Sequence, residues 1–178
     1  MRDVSPQVLE RAGKVRLILL DVDGVLTDGR IHVISAGEDA RAFDSKDGLG
    51  IRLATEAQLT FAIISGRRST VVERRATELR ITEIHQRILD KATCTREILE
   101  RLELKAEEAC YVGDDLIDVP AMRAVGFAVA PSDATPEARD AAHYVTERAG
   151  GRGAVRELVD LVLRANGKWD DVTRRFLK

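Results

Sequence analysis

Asp21 and Asp23 stand two residues apart, directly after the apolar run Val15–Leu20 and directly before Gly24. On a strand, residues i and i+2 point the same way. Two carboxylates so placed repel unless a proton or a cation lies between them. A hard cation such as Mg²⁺ takes oxygen ligands and often only one or two protein carboxylates. A second acidic group, Asp114, Asp115 and Asp118, opens behind Gly113 after the run Ala109–Val112. A third polar cluster, Ser65-Gly66-Arg67, ends the run Phe61–Ile64, and Lys91 follows it. Each piece alone has an ordinary explanation. Asp-x-Asp can be a turn, Asp115 and Asp118 can cap a helix from Val119, Ser65-Gly66-Arg67 can be a turn, and Lys91 a solvated lysine. Three clusters that all end buried runs make a joint site the better account.

The elements that would carry them alternate. Residues 1–13 read as a short helical lead-in. Val15–Leu20, Phe61–Ile64, Ala109–Val112 and Phe127–Ala130 read as strands buried on both faces, with shorter strands at Ile81–Ile84 and Tyr144–Thr146. Helices are expected over 48–58, 69–79, 93–104, 119–125, 136–142 and 153–165. Arg30–Ser35 and Ala40–Phe43, around a turn at 36–39, form a hairpin. Alternating strands and helices imply an α/β fold, a Rossmann-like parallel sheet with helices on both faces. In such a sheet ligands bind outside the carboxyl ends of the strands, where all three polar clusters lie. The expectation is one domain over 1–178, with the hairpin at about 30–43 and a charged tail at 166–178.

Composition excludes other classes. Lys plus Arg is 28 against 30 for Asp plus Glu, and aromatics are 4%. Neither the basic excess of a nucleic-acid binder nor its stacking surface is present. No apolar run is long enough to span a bilayer, and Met1–Pro6 lacks the apolar core of a signal peptide. The expectation is a cytoplasmic chain that binds no nucleic acid and no membrane. Cys94 and Cys110 are too few for a disulfide scaffold or a four-ligand zinc site; both are expected to be packing residues. His32, His85 and His143 share no ligand spacing.

Asp21-Val22-Asp23-Gly24-Val25-Leu26-Thr27-Asp28-Gly29 resembles the first motif of the haloacid dehalogenase-like phosphatases. Ser65, Lys91 and Gly113-Asp114-Asp115-x-x-Asp118 resemble the second, third and fourth, in matching order over residues 15–130. Phe43, Lys46-Asp47-Gly48-x-Gly50, Ile64-Ser65-Gly66-Arg67 and Gly150-Gly151-Arg152-Gly153-Ala154-Val155-Arg156-Glu157 are similar to the 3-deoxy-D-manno-octulosonate 8-phosphate phosphatase family. The resemblance implies a phosphoric monoester hydrolase with Asp21 as nucleophile, Asp23 as general acid and base, Ser65 donating to a phosphoryl oxygen and Lys91 offsetting charge. It implies Mg²⁺ on Asp21, the Asp23 backbone carbonyl and Asp114, with Asp115 and Asp118 orienting that shell. The implied product serves lipopolysaccharide inner-core synthesis. Where the family usually has Gln-Gly, this chain has Gln86-Arg87, and Arg87 either crowds the pocket or supplies an anion contact.

Only 43 residues separate Asp21 from Ser65 and 25 separate Ser65 from Lys91. Neither gap holds a folded cap domain, so a capless enzyme needs a borrowed lid. The hairpin is expected to close a neighbour's site, and the resemblance implies a homotetramer. The substrate is a small-molecule sugar phosphate bearing a carboxylate. Arg67 and Gly66, beside Ser65, and Asp23 are the expected substrate contacts, Arg67 by pairing with that carboxylate. Alternatives are a phosphatase of a nine-carbon keto-acid sugar phosphate (N-acylneuraminate or KDN 9-phosphate), a catalytically impaired paralogue, and a phospho-signalling receiver module.

Overall fold

The computed structural model describes residues 4–34 and 39–177, Asp39 by its backbone alone. Helix α1 (Pro6–Lys14) starts behind Ser5, whose hydroxyl accepts from Val8 N, with proline in the first turn. Strand β1 (Leu17–Leu20) follows, fully buried. Its side chains alternate: Ile18 and Leu20 join one core cluster, Leu17 and Leu19 the other. A four-residue apolar run is the pattern a strand covered on both faces requires.

The other main strands are β4 (Thr60–Ser65), β5 (Glu83–Gln86), β6 (Ala109–Val112), β7 (Phe127–Ala130) and β8 (Tyr144–Val145). They form one sheet in the order β5-β4-β1-β6-β7-β8, all parallel. On one side lie α1, α2 (Ser45–Glu56), α3 (Thr70–Leu79), α7 (Ala154–Ala165) and α8 (Trp169–Thr173). On the other lie α4 (Lys91–Arg101), α5 (Val119–Met122) and α6 (Pro136–Ala141). The chain runs outward from β1 to β5, then crosses back to β6 on β1's other flank. That reversal makes the β1–β6 edge the switch point of the sheet.

The expected hairpin is present as β2 (His32–Val33) antiparallel to β3 (Asp39–Ala40). Residues 36–38 of its expected turn lie outside the described residues. Strand β5 starts two residues later than expected. Arg80, left-handed at φ 62, ends α3, and Ile81 N donates to Ala76 O at 2.9 Å, so Ile81 belongs to the helix stop. Helix α4 starts two residues earlier, because Asp90 caps it by accepting from Thr93 N at 2.9 Å. The tail packs against the domain. Val172 and Thr173 are buried, Lys168 Nζ donates to Ala57 O at 2.8 Å, and Arg175 pairs with Glu56 at 2.7 Å, so it docks on its own chain. Both cysteines are buried and unpaired.

Candidate active site

Asp21 is the first residue past β1, and its N–H still donates to Val112 O of β6 at 3.0 Å. Its carboxylate is buried. Lys91, in the first turn of α4, reaches it with Nζ 2.8 Å from Oδ1. The same Nζ lies 2.7 Å from Asp118 Oδ1. Lys91 is one of the largest fully buried side chains of the chain and not a solvated lysine. Burial pulls its pKa down, but Asp21 and Asp118 outweigh that and raise it. It therefore carries its charge, between two carboxylates that need it.

Asp118 holds the β6–α5 loop. Its Oδ2 accepts from Asp114 N at 3.1 Å and Asp115 N at 3.3 Å, while Oδ1 also accepts from Tyr111 OH at 2.9 Å. It caps no helix with its side chain. Asp115 is exposed and accepts from Leu116 N at 2.7 Å. Burial and the neighbouring carboxylate push the Tyr111 hydroxyl well above its usual range, so it remains a donor.

Asp114 turns back toward Asp21. Oxygens of Asp21, Asp114 and Asp118 all lie within 4.8 Å of one another. Burial first, then repulsion from Asp118, raises Asp21 to about 7 despite its pairing with Lys91, and burial, then repulsion from Asp21, Asp118 and Asp115, raises Asp114 to about 7. An all-oxygen, acid-rich donor set of this kind fits a hard divalent cation. With both Asp118 oxygens already taken, Asp21 and Asp114 are the carboxylates left to face one. Gly24 (φ 90) makes the approach feasible, because a Cβ there would overlap the Asp114 carboxylate.

Asp23 lies in the turn after β1, where Val25, Leu26 and Thr27 N–H groups all close onto Val22 O. Arg41, just past β3, grips its carboxylate with a fork: Nε to Oδ1 at 2.7 Å and Nη2 to Oδ2 at 3.3 Å. Arg67 Nε lies 3.8 Å from the same Oδ2. Ser65, buried at the end of β4, accepts from Arg67 N at 3.3 Å, which leaves its hydroxyl hydrogen to donate. Gly66 sits in this loop against Ile88 O. The structure thus brings Asp21, Asp23, Ser65, Lys91, Asp114 and Asp118 to one sheet edge. It leaves Arg67 and Asp115 on the rim.

The Gly150–Glu157 stretch acts from behind. A Cβ on Gly150 would overlap the Gly24 carbonyl, and Gly151 N donates to Val25 O at 2.9 Å. Asp47 caps α7, accepting from Gly153 N at 3.2 Å and Arg156 N at 2.7 Å. The two sequence motifs that frame the chain therefore brace the Asp23–Gly24 turn and α7. Arg87 is exposed and left-handed at φ 60. Glycine suits that backbone.

Two residues of the site were not singled out from sequence. Tyr111 had a usable signal, a phenol inside an otherwise apolar buried strand, which needs a polar partner. Arg41 had none, since its partner lies 18 residues away on a different turn.

The haloacid dehalogenase-like hydrolase family model matches residues 54–158. The chain is 48% identical to the 3-deoxy-D-manno-octulosonate 8-phosphate phosphatase of Salmonella typhimurium, over 94% of this chain and 89% of that one. It is 46% identical to the crystal structure of the Yersinia pestis phosphatase of the same name, at TM-score 0.92, over 94% of this chain and 90% of that one. The Moraxella catarrhalis phosphatase, crystallised with magnesium ion, phosphate ion and KDO, is 36% identical at TM-score 0.94, over 97% of this chain and 99% of that one. The sheet order, the acidic edge and these likenesses agree: the chain belongs to the haloacid dehalogenase-like hydrolases and, within them, to the 3-deoxy-D-manno-octulosonate 8-phosphate phosphatase family.

Proposed function

We infer that this chain is a Mg²⁺-dependent phosphomonoesterase that hydrolyses 3-deoxy-D-manno-octulosonate 8-phosphate to the free sugar acid and phosphate. The observation that carries this reading is the buried Asp21–Lys91 pair at 2.8 Å, set at the switch point opposite Asp114. A buried carboxylate paired with an ammonium, with a cation site at its side, suits attack on a phosphate.

An Asp21 oxygen attacks phosphorus while the bond from phosphorus to the sugar oxygen breaks. Asp23 gives its proton to that leaving oxygen. Asp23 then takes a proton from water, whose oxygen attacks the phosphorus of the aspartyl-phosphate. Phosphate leaves and Asp21 is restored. Ser65 donates to a phosphoryl oxygen, and Lys91 offsets the charge of nucleophile and phosphoryl group. Mg²⁺, when bound by Asp21, Asp114 and the Asp23 backbone carbonyl, screens the repulsion between carboxylate and phosphate. Asp118 orients that shell through the Asp114 and Asp115 N–H groups. Arg67, exposed beside Ser65 and Gly66, pairs with the substrate carboxylate.

The same reading places the enzyme in the cytoplasm as a homotetramer whose hairpins each close a neighbour's site. Support comes from Val33 and Ile34, exposed on the hairpin, and from Leu89, Leu116 and Ile117, exposed on the loops after β5 and β6. Such apolar groups around one opening suit a covering partner. Among the described residues, no helix is long and apolar enough to cross a membrane.

The test is phosphate release with Mg²⁺, the eight-carbon ester against its nine-carbon analogue at matched concentration. The expected result is preference for the eight-carbon ester and a loss on the order of 10⁴-fold or more in Asp21→Asn. Undiminished turnover in Asp21→Asn overturns the mechanism, and preference for the nine-carbon ester overturns the substrate.

A further inference from the structure

Two arginines share the Asp23 carboxylate, and they differ in kind. Arg67 makes one contact at 3.8 Å, and its side chain is 66% exposed. Arg41 makes two hydrogen bonds, at 2.7 and 3.3 Å, and its side chain is 2% exposed. A single long contact from a solvated side chain is weak and easily exchanged. A buried fork on both oxygens fixes the plane and direction of a carboxylate.

Asp23 needs such a partner. The hydrogen bonds of the 22–27 turn fix its backbone, but they do not reach its side chain. Asp21, by contrast, is pinned by the buried Lys91. An acid that must hand a proton to one oxygen and later take one from water has to be held on target.

We propose that Arg41 is the positioning residue of Asp23, a fork carried just past the returning strand of the hairpin that ties the aim of the general acid and base to the seat of that hairpin. The proposal rests on the phosphomonoesterase reading and deepens it. It divides labour between the two arginines: Arg41 directs Asp23, and Arg67 is left for the substrate. It also makes the hairpin more than a cover, because the segment that carries exposed Val33 also carries the residue that directs the chemistry.

The opposing account is that the pair merely fastens the hairpin to the domain. The two are separated by leaving group and by a mutant cycle. A sugar alkoxide needs a proton to leave, whereas p-nitrophenolate leaves without one. Arg41→Gln is expected to slow single-turnover cleavage of the sugar phosphate on the order of 10²-fold. The burst of p-nitrophenolate should slow only a few-fold, with KM little changed for either ester. Arg41→Lys keeps the charge without the fork and should recover only part of the rate. In an Asp23→Asn background, adding Arg41→Gln should cost nothing more, since a residue that acts through Asp23 has nothing left to direct.

Equal losses on both esters, a rise in KM alone, or a further loss on top of Asp23→Asn overturns the proposal. Should Arg41→Gln fail to fold, Arg41→Lys carries the same comparison and the same cycle. Failure of the underlying reading looks different: wild-type protein then releases no phosphate from either ester, or Asp21→Asn keeps its turnover.

Discussion

The β1–β6 edge and the hairpin supply the two halves of this site in different ways. At the edge, charge is buried: Lys91 sits between Asp21 and Asp118, and Tyr111 completes the set. The partners come from the end of β1, from β6, from the first turn of α4 and from the short loop before α5, all buried. At the hairpin, two short strands leave Val33 85% exposed, and one buried arginine reaches inward. On the proposed mechanism, rigid elements fix the groups that share the phosphorus and the cation. On the same proposal, the short excursion controls the group that meets a changing leaving group and water. Substitutions at the edge should therefore cost stability and activity together, and substitutions on the hairpin activity alone.

The largest expected effect is at Lys91. Lys91→Met leaves two buried carboxylates without their cation, a loss of about 3–5 kcal/mol. Thermal unfolding should fall by roughly 10 °C, with phosphatase activity lost as well. An unchanged Tm would show that the cluster contributes nothing to the fold and would erase the contrast.

Metal and pH come next. Asp21 and Asp114 are raised to about 7 in the folded chain, from the ordinary carboxylate value of 3.8. Between those values the folded state holds protons that the unfolded chain has released. The metal-free protein must then lose stability as pH rises from about 4 to about 7. Mg²⁺ replaces those protons, so the Tm gap between Mg²⁺ and EDTA should widen from pH 5 to pH 8. A gap that narrows with pH contradicts the assignment of these two carboxylates to the cation. Asp47, pushed up to about 6 by burial at the α7 cap, adds the same sign of pH dependence between about 4 and 6.

On the hairpin, Val33→Asp should change the intrinsic stability of the chain by less than about 0.5 kcal/mol, as exposed substitutions do. Light scattering should nevertheless report a smaller assembly, with turnover of the sugar phosphate reduced about tenfold, equivalent to ~1.4 kcal/mol. A wild-type chain that is already monomeric sinks the shared lid. The smallest effect is at Arg87. Releasing a left-handed arginine by Arg87→Gly should stabilise the chain by about 0.5–1 kcal/mol, the strain relieved less the added freedom of the unfolded glycine. Substrate preference should not move, because the side chain is exposed.

Much of this was legible in the chain. Leu17–Leu20, Phe61–Ile64 and Ala109–Val112 are short apolar runs ended by polar residues, and strands buried on both faces look like that. Strand direction alone then brings Asp21, Ser65 and Asp114 to one edge. Boundaries failed where capping decided them. Asp90 drew α4 back to include Lys91, and Arg80 with Ile81 pushed β5 along.

The sequence by itself determined the elements, their order, and which strand ends carry acid. These follow from local periodicity, which is written in neighbouring residues. Only the tertiary structure decided who pairs with whom. Asp118 became the anchor of its loop because Lys91 and Tyr111 converge on it from α4 and β6. Asp47 became the cap of a helix whose first residues lie 106 positions away. Arg41 met Asp23 because a hairpin folds back over a turn. Burial makes an unpaired charge costly, so each of these groups takes whatever partner the fold brings within reach, and no local spacing names that partner in advance.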